Sequence, residues 1–312
     1  MKNALKKVDP AILIVAGLLV ILFLIGSLFA ERFGTLQNIA NVLEQSVSLG
    51  FVSLGQALVV LTGGIDLSIG ALINLTSCLT SGLVNGRAEM ILPVICAVLL
   101  LGLLVGALNG LLTVTLGVHP LIVTLGMMSI LQGITLIYTL RPPGCMPLFF
   151  DFFAYGRILG FPLGTLIMLL LFALIILFLK RIRLGRYIYA VGGSPEAARL
   201  SGISVNRVLI TAYALCGFFA ALTGVYLVSR MGMGDPWMGQ GYELASITPV
   251  VVGGITLAGG KGGLLGVLLG VLLISFLNNL LNFMDVSSFY QWIVQGVIIV
   301  VAVSFYTEKI RK

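Results

Sequence analysis

Val59-Val60-Leu61-Thr62-Gly63-Gly64-Ile65-Asp66-Leu67-Ser68-Ile69-Gly70 sets two glycines and a carboxylate between two long apolar runs. A helix crosses the hydrocarbon layer of a membrane with about 20 apolar residues, and the run on either side approaches that length. The stretch therefore reads as the junction between two membrane helices, at about 42–62 and 65–84. An irregular backbone at that depth is tolerated only where it is buried in protein or lines a wet cavity, so Gly63, Gly64, Asp66 and Ser68 are candidates for a pathway wall or gate.

Working outward, the same reading gives helices at about 10–30, 90–116, 119–139, 161–179, 207–229, 244–259, 263–282 and 288–307, ten crossings in all. The eighth and ninth meet at Ala258-Gly259-Gly260-Lys261-Gly262-Gly263, a second glycine-rich break. Its approach, Pro249-Val250-Val251-Val252-Gly253-Gly254-Ile255-Thr256-Leu257-Ala258, echoes residues 59–68. The echo fits an internal duplication of the kind transporters carry, and equally the chance recurrence of Gly and Val in a chain with 39 glycines.

Composition supports a lipid solvent. Hydrophobic residues make up 59% and charged ones 9%, with a mean hydropathy of +1.15, more apolar surface than a water-soluble core can hide. The 312 residues leave no room for a separate soluble domain, so 1–312 is read as one transmembrane domain. The opening Lys2, Lys6 and Lys7 with the apolar run to Ala30 reads as a retained first helix, too long for a signal-peptide core.

The net charge of +7 gathers in particular loops. With ten crossings, thirteen Lys and Arg fall on the side of both termini and only Arg32, Arg87, Arg141, Arg157 and Arg230 on the other. That bias places both termini in the cytoplasm of a multi-pass inner-membrane protein, and it speaks of orientation rather than of nucleic acid.

The longest basic loop, 180–207, contains Ser194-Pro195-Glu196-Ala197-Ala198-Arg199-Leu200-Ser201-Gly202. Ser194 suits an N-cap, Pro195 the first helical position, Glu196 the positive end of the dipole and Gly202 the C-terminal stop. Gly192 and Gly193 read as the turn into it. Two turns of helix are too few to stand alone, so the segment either docks into a partner or caps its own bundle.

These residues carry a resemblance. Gly185-Arg186-Tyr187-Ile188-Tyr189-Ala190-Val191-Gly192-Gly193, followed by Glu196-Ala197-Ala198-Arg199-Leu200-Ser201-Gly202-Ile203, is similar to the cytoplasmic loop of ribose-type ABC sugar permeases. Leu61–Gly70, Asn109-Gly110, Pro120-Leu121-Ile122-Val123-Thr124-Leu125-Gly126-Met127, Glu243-Leu244 and 252–262 resemble further motifs of that family, in order. Ser194-Pro195 stands where the family usually has Asn, and Leu121 where it commonly has Phe. Arg141–Met146 is also unusual for the family, and these last two departures bear on the substrate.

The resemblance implies a type II importer fold with a coupling helix at 195–201 that seats on an ATPase subunit. The coupling residues would be Arg186, Gly192, Gly193, Ser194, Pro195, Glu196, Ala197, Ala198, Arg199, Ser201 and Gly202. It also implies ABC ATPase subunits that hold ATP and Mg, a periplasmic sugar-binding protein, and a second permease copy or paralogue. A branched-chain amino-acid permease is the related alternative within that class.

Other polar residues have two readings each. Asp66 could gate a pathway or cap the helix opening at Leu67-Ser68. Asn109, Thr124, Gln132, Asn278, Asn279, Gln291 and Gln295 could bond a solute's hydroxyls or glue helices together. Asn109, Thr124 and Asn278, with Gly253 and Gly254, join the pathway candidates. Glu243 suits a helix N-terminus, and Glu44 reads as interfacial. The Gly102, Gly106, Gly110 and Gly266, Gly270 spacings favour close helix packing.

The single histidine, His119, is a cap beside Pro120, and neither it nor the four cysteines has metal-site company. Residues 254–262 fail the phosphate-loop pattern, which needs Gly at 255 and Ser or Thr at 262. The chain thus reads as holding no cofactor, no metal and no catalytic residue. A stand-alone secondary transporter would need buried coupling charges beyond Asp66, and an embedded enzyme a convergent nucleophile and base.

Overall fold

The computed structural model describes residues 10–287, 289–291, 293–298 and 300. The described helices are α1 (Pro10–Phe29), α2 (Leu36–Leu61), α3 (Ile69–Val84), α4 (Ile91–Leu116), α5 (Pro120–Tyr138), α6 (Phe152–Tyr155), α7 (Leu163–Arg181), α8 (Arg183–Gly193), α9 (Pro195–Leu200), α10 (Val205–Met231), α11 (Tyr242–Ala245), α12 (Ile247–Val252) and α13 (Leu264–Phe283). A two-residue antiparallel hairpin pairs β1 (Arg157–Ile158) with β2 (Phe161–Pro162).

Among the described residues seven helices are long and apolar enough to cross a membrane: α1, α2, α4 with the turn before it, α5, α7, α10 and α13. The chain is an all-α membrane bundle. α3 and the α11–α12 pair are shorter apolar helices. Of the predicted tenth span at 288–307, only the described residues up to 300 can be placed, and those are helical. Residues 2, 6, 7, 309, 311 and 312, which bear on the side of the termini, lie outside the described residues.

α10 is the hub, with Tyr213, Phe219 and Tyr226 fully buried among α2, α3 and α4. Gly102, Gly106 and Gly110 make the α4 contact possible: a methyl group on any of them would overlap Gly217, Tyr213 or Ile210 of α10. Gly266 and Gly270 do the same for α13 against Gly253 and Pro249. Small residues let backbones meet where no hydrophobic drive exists between helices in lipid. By contrast α1, α4, α5 and α7 leave most of their apolar side chains on the outside, facing where lipid would lie.

Two sequence expectations need correction. The helix expected at 244–259 is broken: α12 stops at Val252, where Gly254 (φ 92) turns the chain, and residues 253–263 are non-helical. Residues 232–241 approach it by descending along α3, with Gly234 N–H donating to Ser81 Oγ at 2.9 Å and Gly239 N–H to Asn74 Oδ1 at 2.5 Å.

Glu44 is covered by the rest of the bundle, being 8% exposed. It sits inside because α2 is enclosed on nearly all sides, within reach of the positive charges of Arg230 and Arg157.

Gly192 and Gly193 do not turn the chain; they finish α8, a helix the sequence reading missed. The turn follows at Ser194, whose backbone is extended (φ −162°).

The two glycine breaks share one local geometry. Gly63 and Gly64 N–H donate to Val60 and Val59 C=O at 2.9 and 3.1 Å, while Gly254 and Ile255 N–H donate to Val251 and Val250 C=O at 3.0 and 3.1 Å. Both are the paired bonds of a Schellman helix ending. The structural match therefore pairs Gly63 with Gly254, one residue out of register with the echo in the sequence.

Candidate coupling and translocation sites

At the end of the bundle that carries the basic loop, α9 is built as its sequence dictates. Ser194 Oγ accepts from Ala197 N–H at 3.2 Å, Pro195 opens the helix, and Glu196 lies in its first turn. Gly202 (φ 79) closes it, with Ile203 N–H donating to Ala198 C=O at 3.0 Å. Ala198 is the buried anchor, whereas Pro195, Glu196, Ala197 and Arg199 are exposed. Leu200 is 85% exposed, an apolar side chain presented to the outside on a polar segment. Arg186 is exposed and Ser201 returns its hydroxyl to Ala197 C=O at 2.9 Å.

α8 packs inward through Gly185, Ile188 and Val191 and lies against both glycine breaks. Gly260 N–H donates to Leu61 C=O at 2.9 Å, joining the second break to the end of α2. A methyl group on Gly192 would overlap that same Leu61 oxygen and Gly260 nitrogen. Tyr189 donates its hydroxyl to Gly262 C=O at 3.1 Å. Burial pushes the Tyr189 phenol above its ordinary value, so it stays a donor throughout the neutral range.

Asp66 lies beside this junction and is 1% exposed. Its Oδ1 accepts from Ser68 N–H at 2.9 Å and Ser68 Oγ–H at 2.7 Å, fixing the residue that precedes α3. Asn109 of α4 donates to Ser68 Oγ at 2.8 Å and reaches toward Asp66 Oδ2 at 3.5 Å. Thr124 Oγ1 and Tyr213 Oη each reach Ile65 C=O at 3.5 Å. The cluster thus serves the break's backbone, which favours the structural reading of Asp66 over a gate.

Near the midpoint of α2, where α11 begins, lies a cleft of about 290 Å³. Gln45, Ser48, Gln240, Tyr242, Ser275 and Asn278 supply most of its polar lining, joined by Gln291 and Gln295. Among the described residues no lining residue is charged. Tyr242 donates to Ser48 Oγ at 3.0 Å, while Asn278 Oδ1 is buried without a hydrogen-bond partner. An unpaired buried acceptor costs about 1–3 kcal/mol.

Among known proteins, the pattern of the family described as "Branched-chain amino acid transport system / permease component" matches residues 38–303. The chain belongs to this permease family. It is 42% identical over 297 residues to the ribose import permease protein RbsC of Escherichia coli K12, covering 93% of this chain and 92% of that protein. It is 41% identical over 294 residues to RbsC of Bacillus subtilis, covering 93% and 91%. To the D-allose transport system permease protein AlsC of E. coli K12 it is 37% identical over 290 residues, covering 92% and 88%. No solved structure matches the chain at a significant level.

Against this permease fold the sequence candidates separate into three groups. Residues 192–202 are continuous with the junction of breaks, where Gly63 also lies, its Cα near Gly259. Gly64, Asp66, Ser68, Asn109 and Thr124 gather in the polar cluster behind it. Gly253 packs on Gly266 and Gly254 turns the chain. Of the residues read as possible partners of a solute's hydroxyls, Asn278, Gln291 and Gln295 line the cleft. Gln45, Ser48, Gln240, Tyr242 and Ser275 were missed; the one signal available was Ser and Gln within otherwise apolar runs.

Proposed function

We propose that this permease is the membrane-spanning subunit of an ABC importer that passes a pentose, hexose or related neutral sugar across the inner membrane, driven by ATP hydrolysis on partner subunits. The uncharged polar cleft beside the broken helix carries the reading. Its size, about 290 Å³, stands near the lower end of ligand pockets, which suits a small solute. Amides and hydroxyls match a polyol's donors and acceptors, and Tyr242 offers a ring for its apolar face. A branched-chain amino acid is a zwitterion that would want opposite charges and an apolar pocket, and this lining supplies neither.

Residues 180–207 then form the cytoplasmic coupling loop, with α9 presenting Leu200 and Ala197 to a groove on the ATPase, which holds ATP and Mg. Ten crossings would put both termini in the cytoplasm, with the glycine breaks as the duplicated element. A second permease copy or paralogue would close the open side of the cleft, and a periplasmic binding protein would deliver the sugar. Transport requires two states of the bundle biased by partner contacts.

Reconstitution into liposomes with the ATPase and binding protein tests this. Uptake of labelled ribose or allose is expected to be saturable and to require ATP, with leucine not taken up. Sugar uptake by the chain without ATP, or uptake of leucine in preference to sugar, would overturn it.

A further inference from the structure

We propose that the junction of Gly192 with Leu61 and Gly260 is the element that carries displacement of α9 into the walls of the cleft, and that Tyr189 and Gly192 are positioning residues for transport. The proposal rests on the reading of the chain as an ATP-driven permease.

Three segments distant in sequence meet here through backbone alone. Gly260 N–H bonds Leu61 C=O at 2.9 Å. Methyl groups on Gly192, Gly259 or Gly260 would overlap backbone atoms of Leu61, Gly63, Gly192 or Gly193. Such a contact has no rotamers with which to absorb a shift, so it transmits one. Tyr189 adds a bolt, its hydroxyl on Gly262 C=O at 3.1 Å. Ile188 and Val191, both fully buried, hold the same face of α8 in place.

Two chains that leave the junction supply part of the cleft wall. Leu61 ends α2, which carries Gln45 and Ser48 into the cleft. The loop at 260–263 leads straight into α13, which carries Ser275 and Asn278. α10 follows α9 directly in the chain, yet contributes no lining residue to the cleft. A push on α9 thus has a main-chain route to the cleft walls through α8 and the junction, beside the side-chain packing of α10 on α2.

Tyr189→Phe removes one hydroxyl and no packing volume. In proteoliposomes with ATPase and binding protein, ribose uptake and ATP hydrolysis are measured together. The sugar moved per ATP is expected to fall about tenfold, the scale of one lost hydrogen bond in a two-state equilibrium, while hydrolysis stays within about twofold. A purely structural role would instead lower complex yield and hydrolysis together. Gly192→Ala is expected to uncouple more severely; if that variant does not assemble, Tyr189→Phe decides alone. An unchanged ratio of sugar to ATP in Tyr189→Phe overturns the proposal. Absence of ATP-dependent uptake by the wild-type complex would overturn the permease reading first, before any variant is compared.

Discussion

The junction of glycine breaks and the cleft lie at different depths on the same two helices, and they are built by opposite rules. At the junction, Gly192, Leu61 and Gly260 meet main chain to main chain, with the Leu61 carbonyl and the Gly260 amide bonded to each other. At the cleft, side chains face open space, and Asn278 keeps an acceptor with no partner. The first arrangement suits a part that must move as one body. The second suits a part that must hold a solute briefly and let it go, since a fully satisfied or tightly filled site would either reject the sugar or retain it.

The contrast predicts that filling the close-packed junction costs stability as well as coupling, whereas cleft substitutions cost transport alone. Gly260→Ala tests the first half and carries the largest effect. Gly260 has φ 71, a left-handed conformation costing a side-chain-bearing residue about 1–2 kcal/mol. The added methyl would also overlap Gly193, and overpacking typically costs about 1–3 kcal/mol more. Thermal unfolding in detergent should show a loss of roughly 2–5 kcal/mol. A wild-type midpoint would mean that the junction is slack and the contrast false.

Asn278→Leu tests the second half. The side chain is of similar size and its Oδ1 has no bond to lose, so the unfolding midpoint should hold. Sugar kcat/KM should drop about tenfold, or roughly 1.4 kcal/mol, from one hydrogen bond no longer offered to the solute. A fall in stability with unchanged kcat/KM would place Asn278 in the packing and remove it from the pathway.

How much of this was legible beforehand follows from the range of the interactions. α9 could be read in full because Ser194, Pro195, Glu196 and Gly202 act within a few residues of one another. The spacing of Gly102, Gly106 and Gly110 likewise announced a close helix contact, though not that α10 was the partner.

α8 was illegible because Gly192-Gly193 carries the local signature of a turn. Gly192 is there for Leu61, more than a hundred residues away in sequence, and for Gly260. The cleft was hidden deeper still, since Gln45, Gln240 and Asn278 come from three segments that only the tertiary packing of α2, α13 and the chain before α11 makes neighbours.

The smallest effect is one of pH, and it again separates the two regions from an ordinary gate built on charges. The cleft lining is amide and hydroxyl, none of it titrating near neutrality. At the junction the titratable group is Tyr189, whose phenol burial raises above its ordinary value of 10.0. A raised folded-state value favours the protonated form. Its stabilisation is therefore present in full below the unfolded value near 10 and is lost only as pH climbs through the still higher folded value. The stability difference between wild type and Tyr189→Phe, measured by thermal unfolding from about pH 6 to about pH 9, should accordingly stay flat. A difference that shrinks between about pH 7 and about pH 8 would mean that the phenol already ionises there. The hydroxyl would then be a solvent-facing group rather than a buried bolt between α8 and Gly262, and the junction would lose the feature that sets it apart from the cleft.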